Sequence, residues 1–168
     1  MRRLALILSI STLLSVFAAP SALARGPKWE YLPSGPLTLT DSCSFPVLTD
    51  VLTNKEFGKA TENPDGSVDL RVTGSLVVVA TNTDTGESVD MNASGPGTLH
   101  IYPDGSLTVA TQGHAFLFFF ADEAEALGLP SAVFLWAGQT HLTVGADGIS
   151  TSVTLQGHML LDVCAALS

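Results

Sequence analysis

Three copies of one short pattern carry the side chains best suited to chemistry in this sequence. Gln112/His114, Gln139/His141 and Gln156/His158 each set a glutamine two residues before a histidine; His100 is the fourth histidine. Residues two apart share one face of a strand, so each pair would present a planar amide beside an imidazole. Imidazole is a common metal ligand, but a metal site needs its ligands to converge on one ion. Aligning the glycines in or beside these pairs sets His141 and His158 about four residues apart, near 13 Å at roughly 3.3 Å per residue. No metal is therefore expected. The pairs read as outward side chains, with a carbohydrate- or ligand-facing polar strip as the functional alternative.

Other constellations are weaker. Asp84-Thr85-Gly86 matches the aspartic-protease tripeptide, yet that chemistry needs two aspartates sharing a proton and the tripeptide occurs once. Asp and Gly are expected there because the segment reads as a hairpin turn. No serine sits in a G-x-S-x-G elbow, and no glycine-rich phosphate loop is present. Asp122, Glu123 and Glu125 read as the solvated face of a short helix. No catalytic residue is assigned, and no cofactor is expected.

The elements that must position these side chains follow from a five-fold repeat. Gly74, Gly95, Gly113, Gly138 and Gly157 each sit at the centre of an alternating apolar/polar run. Such alternation defines the two faces of a strand. One face collects Val68, Leu70, Val72, Leu76 and Val78 on one run, and Phe134, Trp136, Leu142 and Val144 on another, always with the glycine among them. The histidines all fall on the opposite face. The runs are about 13 residues long, against a usual strand of about 5 or 6, so a bend at each glycine is expected. Alternatively, the glycine belt leaves room for a small apolar ligand, with Gly113, Gly138 and Gly157 as its floor and Phe134, Trp136 and Met159 lining it.

Turn signals at Asn63-Pro64-Asp65-Gly66, Asp84-Thr85-Gly86, Pro103-Asp104-Gly105 and Gly145–Gly148 divide the chain into about six strands. Tight connections force antiparallel neighbours. Asp122 to Leu127 reads as one short helix ended by Gly128 and Pro130. The expected fold is all-β: an antiparallel up-and-down meander of about six long bent strands forming a coiled barrel, with a two-sheet β-sandwich as the alternative. In that barrel the first strand, from Phe45 to about Lys59, pairs with the last and closes the seam.

The ends of the chain define the compartment. Arg2 and Arg3 precede an apolar run from Leu4 to Ala18 and a small-x-small site at Ala22-Leu23-Ala24, the layout of a signal peptide. Residues 1–24 are read as that peptide, 25–42 as an extended lead-in, and 43–168 as one β-barrel domain. The apolar run is short for a membrane span, so no stable insertion is expected after cleavage. The whole chain carries 16 acidic and 7 basic residues, a net charge of −9. That balance argues against nucleic acid, which needs a basic surface. Two cysteines, Cys43 and Cys164, lie in the exported part and are read as a disulfide.

Phe116, Phe118 and Phe120 share the outward face with His114 and need cover. The lead-in or the short helix would cover them within a monomer; dimerisation through them is the alternative. The segments Cys43-Ser44-Phe45-Pro46-Val47 and Asp162-Val163-Cys164-Ala165-Ala166-Leu167 resemble a family of small secreted actinobacterial proteins. The resemblance implies export and paired cysteines, and it assigns no activity. The combined expectation is a secreted, non-catalytic binding or interaction module of unknown partner, with an apolar-ligand carrier second and an unrecognised enzyme third.

Overall fold

The structure, a computed structural model, describes residues 28–168. The expected signal peptide, residues 1–24, and the first three residues of the lead-in lie outside the described residues. In chain order the elements are β1 (Glu30–Tyr31), β2 (Leu37–Leu39), β3 (Val47–Glu62), β4 (Val68–Asn82), β5 (Ser88–Asn92), β6 (Gly97–Ile101), β7 (Leu107–Phe118), α1 (Ala121–Ala126), β8 (Val133–Val144), β9 (Ser150–Asp162) and α2 (Val163–Ala166).

The strands form one nine-stranded sheet in the order β1-β3-β4-β6-β7-β8-β9, with β2 also on β3 and β5 also on β4. Every neighbour is antiparallel. The meander is as expected, but the barrel is not: β3 and β9 do not pair, and the sheet stays open. The lead-in, read as extended with a short edge strand allowed at Thr38–Thr40, supplies two short strands: β1 pairs with Gly58 and Phe57 and β2 with Val47–Thr49. The run centred on Gly95, expected to be one long strand, is split into β5 and β6. Pro96 lacks the N–H a ladder needs, and the Ser94 hydroxyl takes its place on β4, accepting from Leu76 N at 3.0 Å. Among the described residues there are two short helices rather than one.

The open sheet follows from runs of apolar residues that need cover on both faces. Val133, Phe134, Leu135 and Trp136 are consecutive and all buried, whereas a barrel wall buries one face. Val133 and Leu135 pack with Val78, Ala80 and Met91 in one core, which also gathers Leu39, Val47, Val163 and Leu167. Phe134 and Trp136 point the other way, into a second core with Phe119 and Ala124 of the α1 region. The inner ends of β7 and β8 therefore lie between two apolar layers. At 25 cal/mol per Å², burying each such side chain is worth about 1.5–3 kcal/mol.

Helix α1 is held by its own acid. Glu123 accepts from Phe120 N at 3.1 Å, and its other carboxylate oxygen accepts from Ser150 N at the start of β9. The helix stops where Gly128 takes a φ of +65°, as the sequence predicts. At the far end Asp162 caps α2, accepting from Ala165 N at 3.0 Å. Cys43 and Cys164 are bonded across 121 residues of sequence, with Cα atoms 5.5 Å apart. The bridge joins the two ends of the sheet that hydrogen bonds leave apart.

The five glycines do share one level. Gly113 faces Gly138, and Gly138 faces Gly157. Extending the β4–β6 and β6–β7 registers by two residues puts Gly95 opposite both Gly74 and Gly113. At the Gly138/Gly157 pair the reason is geometric. Their φ values are +141° and +146°, and a Cβ on either would overlap the backbone carbonyl of Gln156 or Ala137 respectively. Neighbouring strands approach here through space that a side chain would fill.

Candidate functional site

Registers that align the glycines also align the glutamines. Gln112 faces Gln139, and Gln139 faces Gln156, so three amides stand in one row across β7, β8 and β9. With strands about 4.8 Å apart the row spans roughly 10 Å. Toward the β8–β9 turn, the next row of the same face holds Thr98, Ala110, His141 and Thr154. On the other side stand His114, Ala137 and His158. Gln112, Gln139, His141, Gln156 and His158 are exposed, and His114 is half-buried. All six predicted outer-face residues thus share one surface.

A shallow depression of about 290 Å³ opens in this face between Pro96, Thr98, Gln112, Gln139 and His141. The strand break makes it. Residues Gly95, Pro96 and Gly97 bring little side-chain bulk, while β7 still holds the segment through Gln112 N donating to Pro96 O at 3.0 Å. The amides can each donate and accept, and the imidazole and hydroxyl groups add both roles.

Electrostatically the face is unusual for so acidic a chain. On β6, β7, β8 and β9 the outward positions from Thr98 and His100 through Thr108, Gln112, Gln139, Thr143, Thr154 and His158 include no Asp, Glu, Lys or Arg. Charge begins at the rim, on β4. There Asp69 Oδ1 lies 2.6 Å from His100 Nδ1, and Asp69 Oδ2 accepts from Asn63 at 3.1 Å. Those hydrogen bonds, His100's first, hold the Asp69 carboxyl below the ordinary aspartate range. The His100 ring also packs edge-on to Tyr102, 4.4 Å between centroids. Sequence reasoning missed this pair, treating His100 as isolated. The signal was available: the hairpin pairing of Val68 with Ile101 sets Asp69 opposite His100.

Among the interior candidates, Gly113, Gly138 and Gly157 stand side by side and Trp136 is opposite Met159. Phe134 and Trp136 are buried side by side, 6.2 Å between centroids, with Phe119 stacked on Phe134 at 6.2 Å. Leu117, Leu127 and Leu129 fill in around them. Met159 instead lies 36 % exposed, on the free edge strand. Trp136 Nε1 is buried without a hydrogen-bond partner among the described residues. Of the phenylalanine row, Phe116 packs against the first core, Phe120 sits at the start of α1, and Phe118 remains 37 % exposed. Its ring leans on Phe116, 5.8 Å between centroids.

Among the described residues no group of three or more His, Cys, Asp or Glu is placed to hold a metal ion. No helix among them is long and apolar enough to cross a membrane. No protein-family model matches the chain, and no curated protein or solved structure matches it significantly.

Proposed function

We propose that the protein is an exported, non-catalytic binding module whose contact surface is the uncharged outer face of β6–β9. The observation that carries this reading is the in-register row Gln112–Gln139–Gln156 beside the depression at His141. A flat row of amides bordered by hydroxyls and imidazoles, free of formal charge, suits a neutral, hydroxyl-rich ligand such as a carbohydrate. Each ligand hydroxyl can donate to one group and accept from its neighbour. On this face the charges Asp69 and Arg71 stand on β4, opposite His100 and Thr98. Export accords with the leader-like first 24 residues and with the Cys43–Cys164 bridge, which persists in oxidising compartments.

The test is affinity electrophoresis of the purified protein through gels containing a panel of neutral and acidic polysaccharides. Retardation by a neutral member is expected, together with its loss in Gln139→Ala/His141→Ala and an unchanged melting temperature. Both side chains are exposed, so the double substitution should leave the fold intact. Retardation that survives it, or none with any neutral polysaccharide, would overturn the reading.

A further inference from the structure

The two edges of the sheet are treated very differently. The outer edge of β3 is partly covered by β1 and β2, and β3 carries Asp50, Lys55, Glu56, Lys59 and Glu62. Coverage and charge are the usual ways of stopping strand edges from pairing. The outer edge of β9 has neither. Among the described residues no strand lies beyond it, and from Thr151 to Leu161 it contains no Asp, Glu, Lys, Arg or Pro. In a chain with 16 acidic residues, a neutral edge of that length is where two like-charged copies can approach with least repulsion.

We propose that β9 pairs with β9 of a second copy of this chain, antiparallel about a two-fold axis, continuing the sheet across the seam. Register shifts at Thr143/Val144 and Leu135/Trp136 bracket the regular stretch Ser152–Met159, so the axis falls near its middle, at Leu155. An axis perpendicular to the sheet keeps each face on its own side. Leu155 of one copy then faces Leu155 of the other, Val153 faces Gly157, and Thr154 faces Gln156. Apolar residues meet on one face and polar residues on the other, so the strand is complementary to itself. A stretch of that length forms roughly one interchain backbone hydrogen bond per residue pair, about eight, within the range of about 10 ± 5 for a typical interface. The seam lies beside the glutamine row and joins the two polar faces, but it does not depend on what those faces bind.

Sedimentation velocity over a wide concentration range tests the pairing, with two double variants of exposed residues. The unmodified protein should sediment as a dimer at high concentration. Thr154→Lys/Gln156→Lys sets like charges face to face on both sides of the axis and should weaken the dimer at least about tenfold. Thr154→Glu/Gln156→Lys sets opposite charges there and should retain it. Circular dichroism verifies that each variant is folded. If the double-lysine variant does not fold, hydrogen exchange of the unmodified protein decides: amides between Thr151 and Met159 should gain protection as concentration rises. A monomer at all concentrations, a dimer indifferent to the double-lysine change, or no gain in protection would each overturn the proposal.

Discussion

Replacing Gly138 by alanine isolates the role of the aligned glycines. At φ +141° an L-residue carries strain of about 1–3 kcal/mol. The added Cβ would also lie 2.9 Å from Gly157 Cα and 3.0 Å from Gln156 C, besides overlapping the Gln156 carbonyl. The obstruction is backbone, which cannot rotate away, so β9 must shift and strain two ladder hydrogen bonds at about 1 kcal/mol each. The expected loss is about 3–5 kcal/mol. For a chain of this size that corresponds to a fall in melting temperature of roughly 6–20 °C. Two other glycines separate the contributions. Gly148 has φ +79° but nothing within 4 Å, so Gly148→Ala should lose only about 1–2 kcal/mol, the cost of the left-handed backbone. Gly35 has open space and no left-handed φ, so Gly35→Ala should be neutral or slightly stabilising. Guanidinium unfolding of the three variants gives the order directly. If Gly138→Ala came within about 1 kcal/mol of Gly148→Ala, close strand approach would not be the reason for the glycine.

Two further predictions follow from buried and titrating groups. Trp136→Phe removes an unpaired buried N–H, recovering about 1–3 kcal/mol against the packing lost with the second ring; thermal unfolding should shift by no more than about 1 kcal/mol, and a loss above about 3 kcal/mol would mean that the indole is bonded after all. Hydrogen bonding depresses the carboxyls of Asp65, Asp69 and Asp104, so their stabilisation is complete above the unfolded value near 3.9 and is lost as pH falls through the lower folded values. Glu56 is shifted the other way by burial and destabilises the fold as pH rises through its folded value. Melting temperature should therefore drop below about pH 4, and the Asp69→Asn variant should lose less there than the unmodified protein. Parallel curves from neutral to acid pH would refute that assignment.

The strand faces were legible because the alternation is regular and glycine tolerates what other residues cannot. Parity alone places Gly113, Gly138 and Gly157 on one face with Gln112, Gln139 and Gln156 opposite, and the register agrees. The closed barrel was a misreading of the same rows. Assigning Phe134 and Trp136 inward left Val133 and Leu135 as if exposed, although an unbroken apolar run signals burial on both faces. Ala115 to Phe120 carries the same message, and with it the layer of α1 over the second core. The depression depends on Pro96 ending a ladder, a local event that periodicity averages away. Asp69 and His100 were missed because they lie 31 residues apart and meet only once the strand register is drawn.

The Cys43–Cys164 bridge has a mechanical meaning that its thermodynamics do not express. Cys164 stands close to the last residue, and Cys43 closely precedes β3. A pull applied between the two ends of the chain would run through the sulfur–sulfur bond and never reach the strands between. Only the chain outside the bridge would extend under load, with β1 and β2 peeling from β3. The strands between the cysteines, β3 to β9, are held by hydrogen bonds that peel singly and would carry no end-to-end tension while that bond is intact. Under reduction the same pull would fall first on β3 and α2, the elements next to the cysteines.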